Sequence, residues 1–209
     1  MKLFGIYFSP FVRKVALVAA EKGLEYKRGV GGPGNLSEEF LAASPFKKMP
    51  AIVDGDYSLA DSTAICLYLD AKYPEPALLP AHPQARGRAM WFEEVCDSIL
   101  FPAAGPMVFN RFVVPKFRGV PGDEEAAIKA EEATAPILDW LETQAPSSGW
   151  FLGDSFTLAD IAVASSLRTL IYVGSGADAT RHPTLAAWFA RVCERPAWQK
   201  IAAEEAAGL

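Results

Sequence analysis

Residues 48–69 read KMPAIVDGDYSLADSTAICLYL, and three physical signals lie inside them. Two short apolar runs flank Asp54-Gly55, a pair suited to a tight hairpin because glycine accepts a positive φ. Asp61-Ser62 then opens an apolar helical pattern that Pro74 closes, with a capping side chain at the start and a residue that cannot continue the helix at the end. The stretch therefore predicts strand, strand, helix. Pro50 stands at the mouth of the first strand, where its missing N–H is tolerated.

Upstream, KLFGIYF at residues 2–8 predicts a buried strand. A helix follows from Pro10 to about Lys22, with Val12, Val15, Ala16 and Ala19 on its apolar face and Gly23 as its stop. LEYKRGV, residues 24–30, predicts a second strand parallel to the first, GGPGN at 31–35 a loop, and SEEF at 37–40 a short helix with a Ser cap. The order βαβ, helix, ββα fits in residues 1–76. Pro74, Pro76, Pro80 and Pro83 are too dense for any regular element and mark a linker at 77–85. From 86 to 209 the pattern is helical: one long helix to about Phe117 with kinks or breaks at Pro102 and Pro106, then helices at 123–143, 158–172 and 184–194. The fold class expected is α/β followed by all-α.

Composition excludes several function classes. The chain has 209 residues, 51% of them hydrophobic, enough for one large core or two small ones. Residues 1–76 carry nine Lys/Arg and nine Asp/Glu, so the net charge of −5 lies wholly in the remainder, and neither part has the basic stripe of a nucleic-acid binder. No apolar run reaches the roughly 18 residues of a membrane span, and no signal-sequence pattern opens the chain, so a cytoplasmic location is expected. Cys66, Cys96 and Cys193 lack CxxC spacing and read as buried thiols; with two His, each followed by Pro, no metal site is expected.

The half ending in KMPAIVDGDYSLADSTAICLYL, the proline linker and the helical half carrying FLGDSFTLADIAVA resemble a soluble glutathione transferase over nearly the whole chain. The spacing from Ser9 to Arg13 is similar to the serine-type theta class, and the tripeptide Ser9-Pro10-Phe11 to the tau class. The resemblance implies a thioredoxin-like domain, glutathione as co-substrate, a small hydrophobic electrophile and a homodimer, with neither nucleic acid nor membrane as partner. Met49, before a cis Pro50, would hold the cysteinyl part by its main chain, as an added strand pairs with a sheet edge. Lys48, or its neighbour Lys47, would meet the glycine carboxylate. Asp61 and Ser62 would take the γ-glutamyl end at a helix N-terminus, with Asp97 reaching that ammonium in the partner subunit. Phe11, Met107 and Arg111 would line the electrophile pocket.

The catalytic group is implied to be a hydroxyl aimed at the glutathione sulfur. A free thiol has a pKa of about 8.5 and needs help to ionise at neutral pH. Ser9 is preferred, although its place before Pro10 also suits a simple helix cap. Tyr7 is the rival, because tyrosine-type relatives use a Tyr at the end of this strand. A glutathione-dependent lyase, isomerase or peroxidase, or a non-catalytic binding module, are the alternative activities on the same scaffold. Thr157 and Asp160 have capping-box spacing and are read as folding signals.

Overall fold

Six short strands fold the first part of the computed structural model, which describes residues 1–32 and 35–208. They are β1 (Lys2–Phe4), β2 (Lys27–Gly29), β3 (Gly31–Gly32), β4 (Asn35–Leu36), β5 (Ala51–Asp54) and β6 (Tyr57–Ala60). Four form a mixed sheet in the order β2-β1-β5-β6, with β1 parallel to β2 and antiparallel to β5, and β5 antiparallel to β6. Helix α1 (Pro10–Glu21) joins β1 to β2, α2 (Glu38–Ala43) precedes β5, and α3 (Ser62–Lys72) follows β6. This is a thioredoxin-like arrangement. Helix α1 packs on α3, while α2 lies against β5 and β6.

Strand alternation divides the core. Phe4, Ala51, Val53 and Ala60 gather around Phe40 and Ala43 of α2, and the Phe4 and Phe40 ring centroids are 5.9 Å apart. A Cβ at Gly29 would stand 2.5 Å from the Phe4 ring, so β2 can pair with β1 beside that ring only as glycine. The expected caps form: Ser37 Oγ accepts from the Phe40 N–H at 3.2 Å, and Gly23 follows α1 at φ 65. Buried Lys22 ties the end of α1 to α3 through Asp70 Oδ1 at 2.8 Å and to the chain after α3 through the carbonyls of Tyr73 and Pro76 at 2.7 Å each.

Three expectations need correction. The first strand stops at Phe4 rather than Phe8, because Gly5 turns the chain at φ 127. In GGPGN, Gly31–Gly32 and Asn35–Leu36 pair antiparallel instead of forming only a loop; Pro33 and Gly34 lie outside the described residues. The helices expected after residue 86 stop at 194, whereas the chain is helical again over Pro196–Gly208. The chain divides into two compact units, Met1–Pro80 together with the chain from Cys193 onward, and Ala81–Val192.

The second unit contains α4 (Pro83–Glu94), α5 (Phe101–Val108), α6 (Val114–Arg118), α7 (Glu124–Gln144), α8 (Leu158–Ile171) and nearly all of α9 (Pro183–Cys193). Wide π-helical turns at Val95–Leu100 and Phe109–Val113 link α4, α5 and α6, and each ends shortly before a proline, Pro102 or Pro115. A wider turn relieves the clash a proline ring makes with the carbonyl four residues back. Ser98 Oγ and Asn110 Nδ2 donate to the Glu94 and Pro106 carbonyls there, at 2.6 and 2.9 Å.

A further helix, α10 (Pro196–Gly208), was not expected and packs on α1 in the first unit. Arg195 binds Glu21 with two contacts of 2.7 Å, and Arg13 pairs with Glu205, both 1% exposed. Cys66 and Cys96 are buried and Cys193 half-buried, and none of the three is in a disulfide. Among the described residues no helix is long and apolar enough to cross a membrane, and no group of His, Cys, Asp and Glu could hold a metal ion.

Candidate active site

The sheet register assembles the site. Phe4 pairs with Ala51, and Ala51 with Ala60, so the three lie in one row across β1, β5 and β6. Beyond that row the chain continues as Gly5 to Ser9 after β1, enters β5 through Met49-Pro50, and leaves β6 as Asp61-Ser62. Because β1 and β6 both run antiparallel to β5, these three segments emerge at the same edge. The Met49-Pro50 bond is cis, as expected. A Cβ at Gly5 would be 2.5 Å from Val12 Cγ2 and 3.2 Å from Met49 Cβ, so glycine lets this turn pass between α1 and the Met49 loop.

Ser9 occupies the N-cap position of α1 but does not cap it. Its backbone N–H donates to the Ile6 carbonyl at 3.1 Å and its carbonyl accepts from the Arg13 N–H at 3.0 Å. Its hydroxyl makes no cap bond and has no other partner among the described residues. At 6% residue exposure, this hydroxyl stands at the positive end of the α1 dipole.

Tyr7 differs in each respect. It lies in the turn after β1, 4% exposed; its hydroxyl donates to Glu204 Oε2 at 2.6 Å and shares a second 2.6 Å hydrogen bond with the Tyr26 hydroxyl. Burial first, then the bond to Glu204, raises its pKa above the ordinary tyrosine value. The only proton of this phenol is committed to Glu204 inside the fold.

The remaining first-unit candidates surround the cis proline and the α3 N-terminus. Buried Ser44 holds the Lys48 backbone twice, its Oγ donating to the Lys48 carbonyl at 2.6 Å and accepting its N–H at 3.0 Å. Lys47 adopts φ 58 in the same loop. Both lysine side chains are exposed. Asp61, a non-glycine residue at φ 82, caps α3 by accepting the Ala64 N–H at 2.9 Å on Oδ1; its other carboxylate oxygen has no partner among the described residues. Ser62 is buried in the first turn of α3. Phe11 is half-buried, with Lys14 Nζ 5.8 Å from its ring centroid.

The second-unit candidates have structural surroundings. Met107 has no exposed surface and belongs to the core of that unit, which removes it as a lining of an open pocket. Arg111 faces α7, with 2.7 Å to Glu124 and 2.8 Å to Glu131, so its charge is already paired. Asp97 is half-buried in the first π-helical turn. Asp160 has no exposed surface. It accepts from the N–H groups of Phe151 and Thr157 at 3.0 Å each, from the Thr157 hydroxyl at 3.2 Å and from Trp188 Nε1 at 3.1 Å. The folding role expected of this motif is therefore carried mainly by the aspartate, with the threonine hydroxyl donating to it.

Comparison with known proteins identifies the family. Residues 3–77 match the family model "Glutathione S-transferase, N-terminal domain", and residues 100–196 match "Glutathione S-transferase, C-terminal domain". The sequence is 36% identical to glutathione S-transferase 3 of Zea mays, over 97% of this chain and 93% of that protein. Among solved structures, a glutathione S-transferase from Rhodospirillum rubrum F11 superimposes with a TM-score of 0.87 at 28% identity, covering 96% of this chain and 90% of that one. Glutathione S-transferase I bound with lactoylglutathione gives 0.83 at 27%, covering 97% and 98%. The chain belongs to the glutathione S-transferase family.

Proposed function

We propose that the protein is a transferase that adds the thiolate of glutathione to small hydrophobic electrophiles, working as a homodimer in the cytoplasm. One observation carries the reading: the Ser9 hydroxyl lies at the α1 N-terminus with no partner among the described residues, while the Tyr7 hydroxyl, two residues earlier, is engaged by Glu204 and Tyr26. An unengaged donor at a helix N-terminus stabilises an anion, and the anion required is the thiolate.

The other segments match the remaining parts of glutathione. Met49 offers main-chain hydrogen bonds to an extended cysteinyl unit, Lys48 a charge for the glycine carboxylate, and Asp61-Ser62 a carboxylate and a helix N-terminus for the zwitterionic γ-glutamyl end. The lactoylglutathione complex of a structural relative supports glutathione as the ligand class. Phe11 is retained as the electrophile-side residue, and Asp97 as the residue that would serve a partner subunit.

The reaction is nucleophilic attack by sulfur. Ser9 donates to the thiolate, lowers the thiol pKa and keeps the nucleophile charged as the electrophile arrives. The test is to titrate the ultraviolet thiolate band of bound glutathione against pH in wild type and Ser9→Ala, alongside turnover of an aryl halide. The expected result is a raised thiol pKa and a fall in turnover of about 10–10³ with little change in glutathione affinity. An unchanged thiol pKa in a folded Ser9→Ala variant would refute the assignment.

A further inference from the structure

We infer that the adjacent residues Glu204 and Glu205 on α10 position the Ser9 hydroxyl by gripping the chain on both sides of it. Glu204 holds Tyr7, two residues before Ser9, and Glu205 holds Arg13, four residues after. This deepens the Ser9 reading and rests on it.

The Gly5–Ser9 turn has little of its own to define it. It follows the sheet through a glycine at φ 127, and within it the Ser9 N–H donates to the Ile6 carbonyl. Its place is set by side chains from elsewhere. Arg28 on β2 donates to the Gly5 carbonyl at 2.6 Å and stacks its guanidinium 3.7 Å above the Tyr7 ring. Tyr26 and Glu204 meet the Tyr7 hydroxyl at 2.6 Å each. On the far side, the Arg13 guanidinium forms a two-point pair with Glu205, with Nε to Oε2 at 3.2 Å and a second nitrogen on Oε1, both residues almost wholly buried.

Two consecutive carboxylates of one helix thus anchor the turn and the first turn of α1, and Ser9 is the residue between the anchors. A donor that stabilises an anion acts only within a narrow range of distance, about 2.7–3.1 Å, so a small displacement of this turn removes its effect while leaving the ligand's other contacts in place. Glu204 and Glu205 are positioning residues: they act on the sulfur through the place they give Ser9.

The experiment compares Glu204→Ala, Glu204→Gln and Ser9→Ala with wild type, alone and with Ser9→Ala combined with Glu204→Ala, using glutathione and an aryl halide. Glu204→Ala is expected to raise the pKa of the bound thiol and lower kcat by about tenfold, with KM for glutathione nearly constant. Glu204→Gln, which keeps an acceptor for the Tyr7 hydroxyl, should recover most of the loss, and in the Ser9→Ala background Glu204→Ala should change neither value further. An unchanged thiol pKa in Glu204→Ala, alongside a raised one in Ser9→Ala, would overturn the positioning role and leave the Ser9 reading intact. An unchanged pKa in Ser9→Ala would instead defeat that reading and this inference with it. Additive effects in the double variant would also overturn the inference, since they show Glu204 acting by a route other than Ser9. Glu205→Gln repeats the test on the far side; if it does not fold, the Glu204 series decides.

Discussion

Helices α1 and α8 both begin at a hydroxyl residue, Ser9 and Thr157, and local sequence rules assign both the same duty. The structure separates them. At α8 a buried aspartate collects donors from Thr157, Phe151 and Trp188, so that start of helix is closed to any ligand. At α1 the hydroxyl makes no cap bond, and Pro10 has already removed one N–H from the first turn. A helix start whose polar groups are satisfied internally stabilises the fold, whereas one left unsatisfied is available to a ligand.

The largest expected break in this contrast is Asp160→Ala. It strands the N–H groups of Phe151, Thr157 and Trp188 in a buried site and should cost about 3–5 kcal/mol, read from denaturant unfolding. Glutathione affinity, measured where the variant is still folded, should not move; a parallel loss of affinity would mean the two helix starts are not independent.

Asp61→Ala comes next, because Asp61 caps α3 and also belongs to the proposed glutathione site. About 1 kcal/mol of stability should be lost with the cap, together with a clear weakening of glutathione binding by calorimetry. Unchanged binding would make Asp61 a cap alone. Thr157→Ala should cost about 0.5–1.5 kcal/mol, since its hydroxyl adds one longer bond to an aspartate already well supplied. Ser9→Ala should have the smallest effect on stability, within about 0.5 kcal/mol by melting, because no cap bond is there to lose. A cap-sized loss would erase the distinction between the two helices.

Acidity sharpens the same contrast. Burial raises the Asp160 pKa above its ordinary value, against the lowering effect of its hydrogen bonds. The folded protein therefore binds that proton more tightly than the unfolded chain. The associated stability is fully present below the unfolded pKa and is lost as pH rises through the folded one. Comparing wild type with Asp160→Asn cancels the other carboxylates, and the wild-type advantage should shrink as pH rises from about 4. An advantage that grows with pH would show the carboxylate to be net stabilised by its donors.

Residues 48–69 disclose their fold because local rules agree there: a hairpin glycine, an aspartate at a helix start, and apolar spacing that changes period where strand gives way to helix. The main segments of the proposed site stand out in the sequence for the same reason, since each sits next to a proline or a helix start. Arg111 and Met107 are a different case. Spacing places them one turn apart, but only tertiary packing reveals that one meets the carboxylates of α7 and the other fills the core.

Glu204 and Glu205 gave no signal at all. They lie in an alanine-rich run, and their partners Tyr7 and Arg13 are 197 and 192 residues away. Helix α10 escaped for a related reason: its large apolar side chains are only Trp198 and Ile201, and what fixes it is α1, far off in sequence.

The return of α10 to the first unit bears on synthesis. Domains generally fold as they leave the ribosome, N-terminal first, at about 5–20 residues per second. Here the strands and α1 emerge early, yet the glutamates that hold Tyr7 and Arg13 follow those partners by 197 and 192 residues. For roughly 6–25 s the nascent chain carries its first eighty residues without that closing helix. Throughout that interval Arg13 lacks its Glu205 partner, and the fold of the first unit is completed only once α10 has emerged.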